Sequence, residues 1–304
     1  MVGNEASSEA DASIEQADAA DAARAELWHG RDASPLPAEV TDVHVHVYPD
    51  AIAERAAQSV GAYYGVPMAG DGTVSCLRAM IAGSPIARCV IHSVAVKAKN
   101  VQHINDFIAA TVAADPGRLV GFMTMHQDFP DPEGEIDRAR ALGLRGIKLH
   151  PDMQRVNMDD PRMMRVFAIA EDRGLPVIVH CGDYRHDFSH PRRLRAVLAA
   201  FPRLVVDAAH FGGWSIYEQG YDFLHDQRCY VDMSSSMDIL GDRRTAELAR
   251  LFGCGRVLFG SDYPMSDPAE VLRRFARQGL SASEMARMCH ENVERFLANE
   301  LPLA

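Results

Sequence analysis

The run Thr41-Asp42-Val43-His44-Val45-His46-Val47-Tyr48-Pro49 alternates β-branched apolar residues with histidine. Successive side chains on a strand point to opposite faces, so His44 and His46 share a face and form a two-imidazole claw. Pro49 cannot donate to a sheet ladder and ends the run, which puts both histidines at the strand's C-terminal end. In a parallel barrel that is the end where the chemistry sits.

The rest of the chain repeats the unit that such a barrel needs. Short apolar, β-rich runs predict strands at 42–47, 88–95, 119–125, 145–149, 176–180, 204–209, 229–233 and 256–260. Amphipathic segments lie between them, for example 100–115, 132–142, 161–173, 191–201 and 243–252, with apolar residues three and four apart. Pro161 and Pro191 suit the first turns of their helices. Strands alternating with helices imply right-handed parallel units, and eight of them imply closure into a (β/α)8 TIM barrel of the α/β class. The rival open sheet calls for a glycine-rich phosphate turn, and neither G-x-G-x-x-G nor G-x-x-x-x-G-K-[ST] occurs. Residues 281–298 read as a closing helix, with Ser281 or Ser283 as N-cap and Glu284 in the first turn.

Charge separates a first segment from this barrel. Residues 1–40 hold nine acids and two bases, a net −7 out of −11 for the chain, and are rich in Ala, Asp, Glu and Ser. They are expected to form a mobile acidic tail, leaving 41–304 as the barrel with its closing helix. The acidic balance and the lack of a basic stripe exclude nucleic acid as a partner. No apolar run approaches the roughly 20 residues that span a bilayer, so no membrane partner is expected. A small-molecule substrate remains, with a homo-oligomer left open. No secretory signal pattern opens the chain, and the six cysteines are scattered without a C-x-x-C pair. Both features point to a reducing, cytoplasmic setting.

Placed on the expected strands, His44, His46, His150, His180, His210 and Asp262 all fall at C-terminal ends. Three or four imidazoles with one carboxylate suit Zn²⁺ first, and also Mn²⁺, Fe²⁺ or Co²⁺. Such an ion lowers the pKa of bound water toward about 7. Asp262, in Gly-Ser-Asp-Tyr-Pro, is placed both to bind the ion and to take the water's proton.

The blocks Asp-Val-His-Val-His (42–46), Gly-Ile-Lys-Leu-His-Pro (146–151), Val-Ile-Val-His (177–180), Ala-His-Phe-Gly-Gly (209–213) and Phe-Gly-Ser-Asp-Tyr-Pro (259–264) resemble the amidohydrolase superfamily. The similarity is to the amidohydrolase-related branch that also holds aminocarboxymuconate semialdehyde decarboxylase-like enzymes. It implies that His44, His46, His180 and Asp262 bind one divalent ion, with Asp262 also handling the proton. It further implies that His210 polarises water or substrate without binding the ion. In binuclear relatives His210 would bind a second ion, bridged by a carboxylated lysine, for which Lys148 is the candidate.

His150 either touches substrate or braces the site. Arg185 offers a bidentate fork for a substrate carboxylate, or else a surface ion pair. Tyr184, Tyr48 and Trp214 are candidates for the pocket wall. His186 and His190 have the spacing of a helical metal pair but precede Pro191 as the start of a helix, and they are read as non-ligands. Cys181 follows His180 and points away from the metal. His29, His103, His225 and His290 are assigned to the surface or to packing, and His92 and His126 receive no role.

The first expectation is a metal-dependent hydrolase acting on a small, carboxylate-bearing substrate. The second is a metal-dependent, non-oxidative decarboxylase of a small aromatic or unsaturated acid. The third is a barrel that binds metal without catalysis.

Overall fold

Eight short strands pair in parallel and in chain order in the computed structural model, which describes residues 33–302. They are β1 (Val40–His46), β2 (Ile86–His92), β3 (Leu119–Thr124), β4 (Gly146–Leu149), β5 (Val177–Val179), β6 (Val206–Ala208), β7 (Tyr230–Asp232) and β8 (Val257–Leu258). The expected barrel is therefore present, with each strand inside or within two residues of its expected run. The expected acidic tail lies outside the described residues, except for its last eight positions. Among these, Ser34 hydrogen bonds through its backbone N–H to Ala276 O at 2.7 Å.

The seam between β8 and β1 is closed by the stretch that follows β8. Val43 N donates to Phe259 O at 3.0 Å, Asp262 N to His44 O at 2.8 Å, and His46 N to Tyr263 O at 2.7 Å. Gly260 permits this approach, because a Cβ there would lie 2.9 Å from the Cβ of His44. The buried Asp42 carboxylate ties the two sides together, accepting from His44 N and Ser261 N, each at 3.0 Å.

Strand alternation divides the apolar side chains into two layers. Val90, Phe122, Ile178, Tyr230 and Leu258 fill the barrel interior together with Val293 and Phe296 of the C-terminal helix. Ile91, Met123, Ile147, Val179 and Val231 face the surrounding helices. The outer helices begin with a repeated device. Asp131, Asp160 and Asp267 each accept a backbone N–H of the first turn and are each followed by proline, whose missing N–H costs nothing there. The closing segment is three pieces, Ala282–Ala286, a wide turn Arg287–Glu291 and Asn292–Leu297, with Ser281 rather than Ser283 in a capping box with Glu284. Among the described residues no helix is long and apolar enough to cross a membrane.

The chain just past β5 has no room for a side chain. Gly182 has φ +85°, and a Cβ there would lie 2.4 Å from Trp214 N and 2.5 Å from Gly213 C, both backbone atoms. Gly182→Ala is expected to lower the unfolding free energy by about 2 kcal/mol or more, since left-handed strain adds to overpacking. A denaturant midpoint equal to that of the unsubstituted chain would contradict this packing.

Candidate metal centre

The claw begins with a register shift in β1 between Asp42 and Val45, after which His44 and His46 both reach the barrel axis. His44 Nδ1 donates to Asp232 Oδ2 at 2.7 Å, which leaves the lone pair on Nε2. That Nε2 is 3.3 Å from His46 Nε2, and Asp262 Oδ1 is 3.5 Å from the first and 3.6 Å from the second. An ion with bonds of about 2.1 Å spaces neighbouring ligand atoms about 3.0 Å apart when six-coordinate and about 3.4 Å apart when four-coordinate, so the three donors fall close to what one ion requires. Asp262 is aimed by its other contacts: Oδ2 accepts from Ser235 Oγ at 2.6 Å. Both Asp262 and His210 have left-handed backbones, with φ of 64° and 59°. Such conformations are unfavourable for residues with a Cβ and persist where the surroundings over-determine them.

Asp232, fully buried on β7, is the hub beneath the claw. Besides His44 it accepts His210 N and Ser234 N, each at 3.0 Å, and Ser234 Oγ at 2.5 Å. Burial pushes its pKa up, but His44 and His210 outweigh that and hold it ionised, well below the usual carboxylate range. Its buried neighbour on β6, Asp207, is driven the other way, well above the usual carboxylate range, by burial and by the charge on Asp232. Lys148 on β4 is also fully buried, with Nζ 2.8 Å from His44 Nε2. Burial lowers its pKa to about 8, so an appreciable fraction is neutral near physiological pH.

A second group of imidazoles adjoins the claw. His180 Nε2 donates to Gly182 O at 2.8 Å, which leaves Nδ1 with the lone pair, 3.0 Å from His210 Nε2. His210 Nδ1 is held by Ser234 O at 3.0 Å and Ser234 Oγ at 2.9 Å. Burial lowers both pKa values, that of His210 to about 4, so both rings are neutral at pH 7. His150 stacks on His180 with centroids 3.9 Å apart. His150 Nδ1 accepts Met153 N, and Nε2 meets Tyr64 OH at 2.8 Å. Asp152 lies 3.6 Å from His180 Nε2 and accepts the Ser189 hydroxyl, and burial pushes its pKa up to about 6.

These groups line the floor of a cavity of about 450 Å³, open at the C-terminal ends of the strands. Tyr48 and Trp214 are in its wall, in line with the sequence reading. Arg185 and Tyr184 are not. The Arg185 guanidinium is committed elsewhere, to buried Asp183 through Nε (2.9 Å) and Nη2 (2.7 Å) and to Tyr63 O at 2.5 Å. Tyr184 is 73% exposed and points to solvent. The arginine that lines the cavity is Arg155, an exposed residue whose guanidinium no hydrogen bond or ion pair engages among the described residues. His103, read as surface or packing, also lines the cavity, as does much of the helix Ala53–Tyr64, which the sequence pattern did not single out. His190 caps the following helix through Nδ1, as its place before Pro191 implied, and Cys181 lies in the outer layer away from the donors. His29 lies outside the described residues.

Comparison with known proteins follows the same lines. A 2-amino-3-carboxymuconate-6-semialdehyde decarboxylase of Dictyostelium discoideum is 31% identical over 202 residues, 54% of this chain and 56% of that one. The match thus spans about half the length of that curated relative. An uncharacterised TIM-barrel protein from Bordetella bronchiseptica has a TM-score of 0.70 at 21% identity, over 86% of this chain and 99% of that one. A dihydroxybenzoic acid decarboxylase from Polaromonas sp., solved with bound manganese and the inhibitor 2-nitroresorcinol, has a TM-score of 0.67 at 14% identity, over 86% and 97%. These structural likenesses speak for the fold. The family model described as Amidohydrolase matches residues 41–298, and on that match the chain belongs to the amidohydrolase family of enzymes.

Proposed function

We propose that the chain is a metal-dependent, non-oxidative decarboxylase of a small aromatic or unsaturated carboxylic acid. The observation that carries this reading is the cavity itself: a donor triangle on the floor, Lys148 beside it, a free Arg155 in the wall, and otherwise mainly apolar and aromatic lining. The activity of the Dictyostelium relative supports it. Decarboxylation thus ranks ahead of hydrolysis in this reading, the reverse of the order expected from sequence, and a purely binding role ranks last.

His44, His46 and Asp262 would hold the ion, with His180 as a further ligand through Nδ1. A divalent ion there supplies a Lewis acid that draws electron density from substrate oxygens. Zinc suits the nitrogen-rich donor set best, with manganese, iron and cobalt as alternatives. Arg155 and the charged fraction of Lys148 bind the acid, and the ring or double bond packs against Tyr48 and Met265. The bond between the carboxylate carbon and the substrate skeleton breaks, CO2 leaves, and the electron pair left on carbon takes a proton. Asp262 and His210 are the groups placed to carry that proton. The apolar wall favours the step, because a localised carboxylate charge is lost as CO2 forms.

Four outcomes are expected. With carboxyl-labelled hydroxybenzoates and conjugated unsaturated acids, the metal-loaded protein should release labelled CO2 and Asp262→Asn should not; ester or lactone hydrolysis without CO2 would restore the hydrolase reading. His210→Asn should keep its metal and lose about 10²–10⁴ in kcat, whereas unchanged turnover would remove His210 from the proton path. Arg155→Met should raise KM for the acid about tenfold or more with kcat little changed. Arg185→Met should instead lower stability without a selective effect on KM.

A further inference from the structure

His92, at the end of β2, is fully buried on the barrel axis, and neither of its ring nitrogens has a hydrogen-bond partner among the described residues. A neutral imidazole always carries one N–H and one lone pair, and leaving either unsatisfied in the interior costs roughly 1–3 kcal/mol. A buried polar group without a partner in the chain calls for an explanation, and a bound ion is one that satisfies a ring lone pair. The neighbours narrow what that is. A ring nitrogen of His92 lies with nitrogens of His44 and His46 in a set whose members are all within 4.8 Å of one another. His44 Nδ1 is taken by Asp232, so the lone pair it turns toward the axis is on Nε2, where Lys148 Nζ lies 2.8 Å away and where an ion would take the place of that contact. Ser93 and Val94 line the cavity and the fully buried His92 does not, so its ring is packed behind the lining residues His44 and His46.

Resting on the metal site of the proposed function, we propose that His92 is a further ligand of the same ion, an imidazole from β2 facing the His44–His46–Asp262 triangle. With His180 this gives four nitrogens and one carboxylate oxygen. A six-coordinate ion then keeps one position for substrate, and the donor set favours zinc, iron or cobalt over magnesium or calcium. The competing account is edge-to-face packing alone, since the His92 and His46 rings are 4.4 Å apart at 85°.

The test measures zinc affinity by competition with a chromophoric chelator, in the full chain and in His44→Ala and His92→Phe. Phenylalanine keeps the edge-to-face contact and removes the ligand. His92→Phe should weaken zinc binding at least 100-fold; a change under threefold, with His44→Ala still losing the metal, overturns the His92 assignment and leaves the site standing. If the unsubstituted chain binds no zinc, iron, cobalt or manganese, both readings fall. Should His92→Phe not fold, the anomalous signal in a crystal structure of the zinc-loaded protein decides. A His92 nitrogen within about 2.3 Å of the ion supports the assignment, and one beyond 3 Å overturns it.

Discussion

The buried Asp232 carboxylate is the contact on which the site depends. By accepting His44 Nδ1 at 2.7 Å it fixes the tautomer of the His44 imidazole, and by accepting His210 N it fixes a second element of the site. An ionised carboxylate with no exposure is tenable only because its oxygens are taken by four donors, the His44 ring, two backbone amides and a hydroxyl. Truncating it would leave the Nδ1 proton of His44 buried and unpaired and would free the ring to turn. The chemistry at the mouth of the barrel thus rests on a charge placed one layer below it.

The barrel supplies the rest of the positioning. Parallel strands in chain order bring six polar side chains from five strands to one end, and the β8–β1 seam sets Asp262 against the claw through backbone bonds and the Asp42 carboxylate. Strained backbone recurs at the site: His210, Asp262 and Ser235 hold left-handed conformations, and Gly182 occupies a place where only glycine fits. Chain segments that leave the ladder early, after β5, β6 and β8, are the ones that deliver His180, His210 and Asp262.

Much of this was legible in the sequence because it depends on period and position. His-x-His on a strand ended by proline, and histidines and an aspartate closing later strands, have few physical readings other than a metal site at a barrel mouth. What stayed hidden depends on partners. Asp232 sits in Tyr-Val-Asp-Met, where a charge inside an apolar strand was the available sign that it is needed below the site. Arg185 and Arg155 are the same residue type, and only packing shows that Asp183 and Tyr63 occupy the first while the second is free. Tyr64 enters from a helix with no motif, and His92 shows its interest only once its nitrogens are seen to lack partners.

The central claim, one divalent ion held by His44, His46 and Asp262, is tested most directly by the transition-metal content of the purified protein, counted as ions per chain by elemental analysis. The account predicts about one ion per chain. Two ions would contradict the single-ion site and point to a bridged pair at Lys148, and none after metal has been supplied would contradict the metal centre itself.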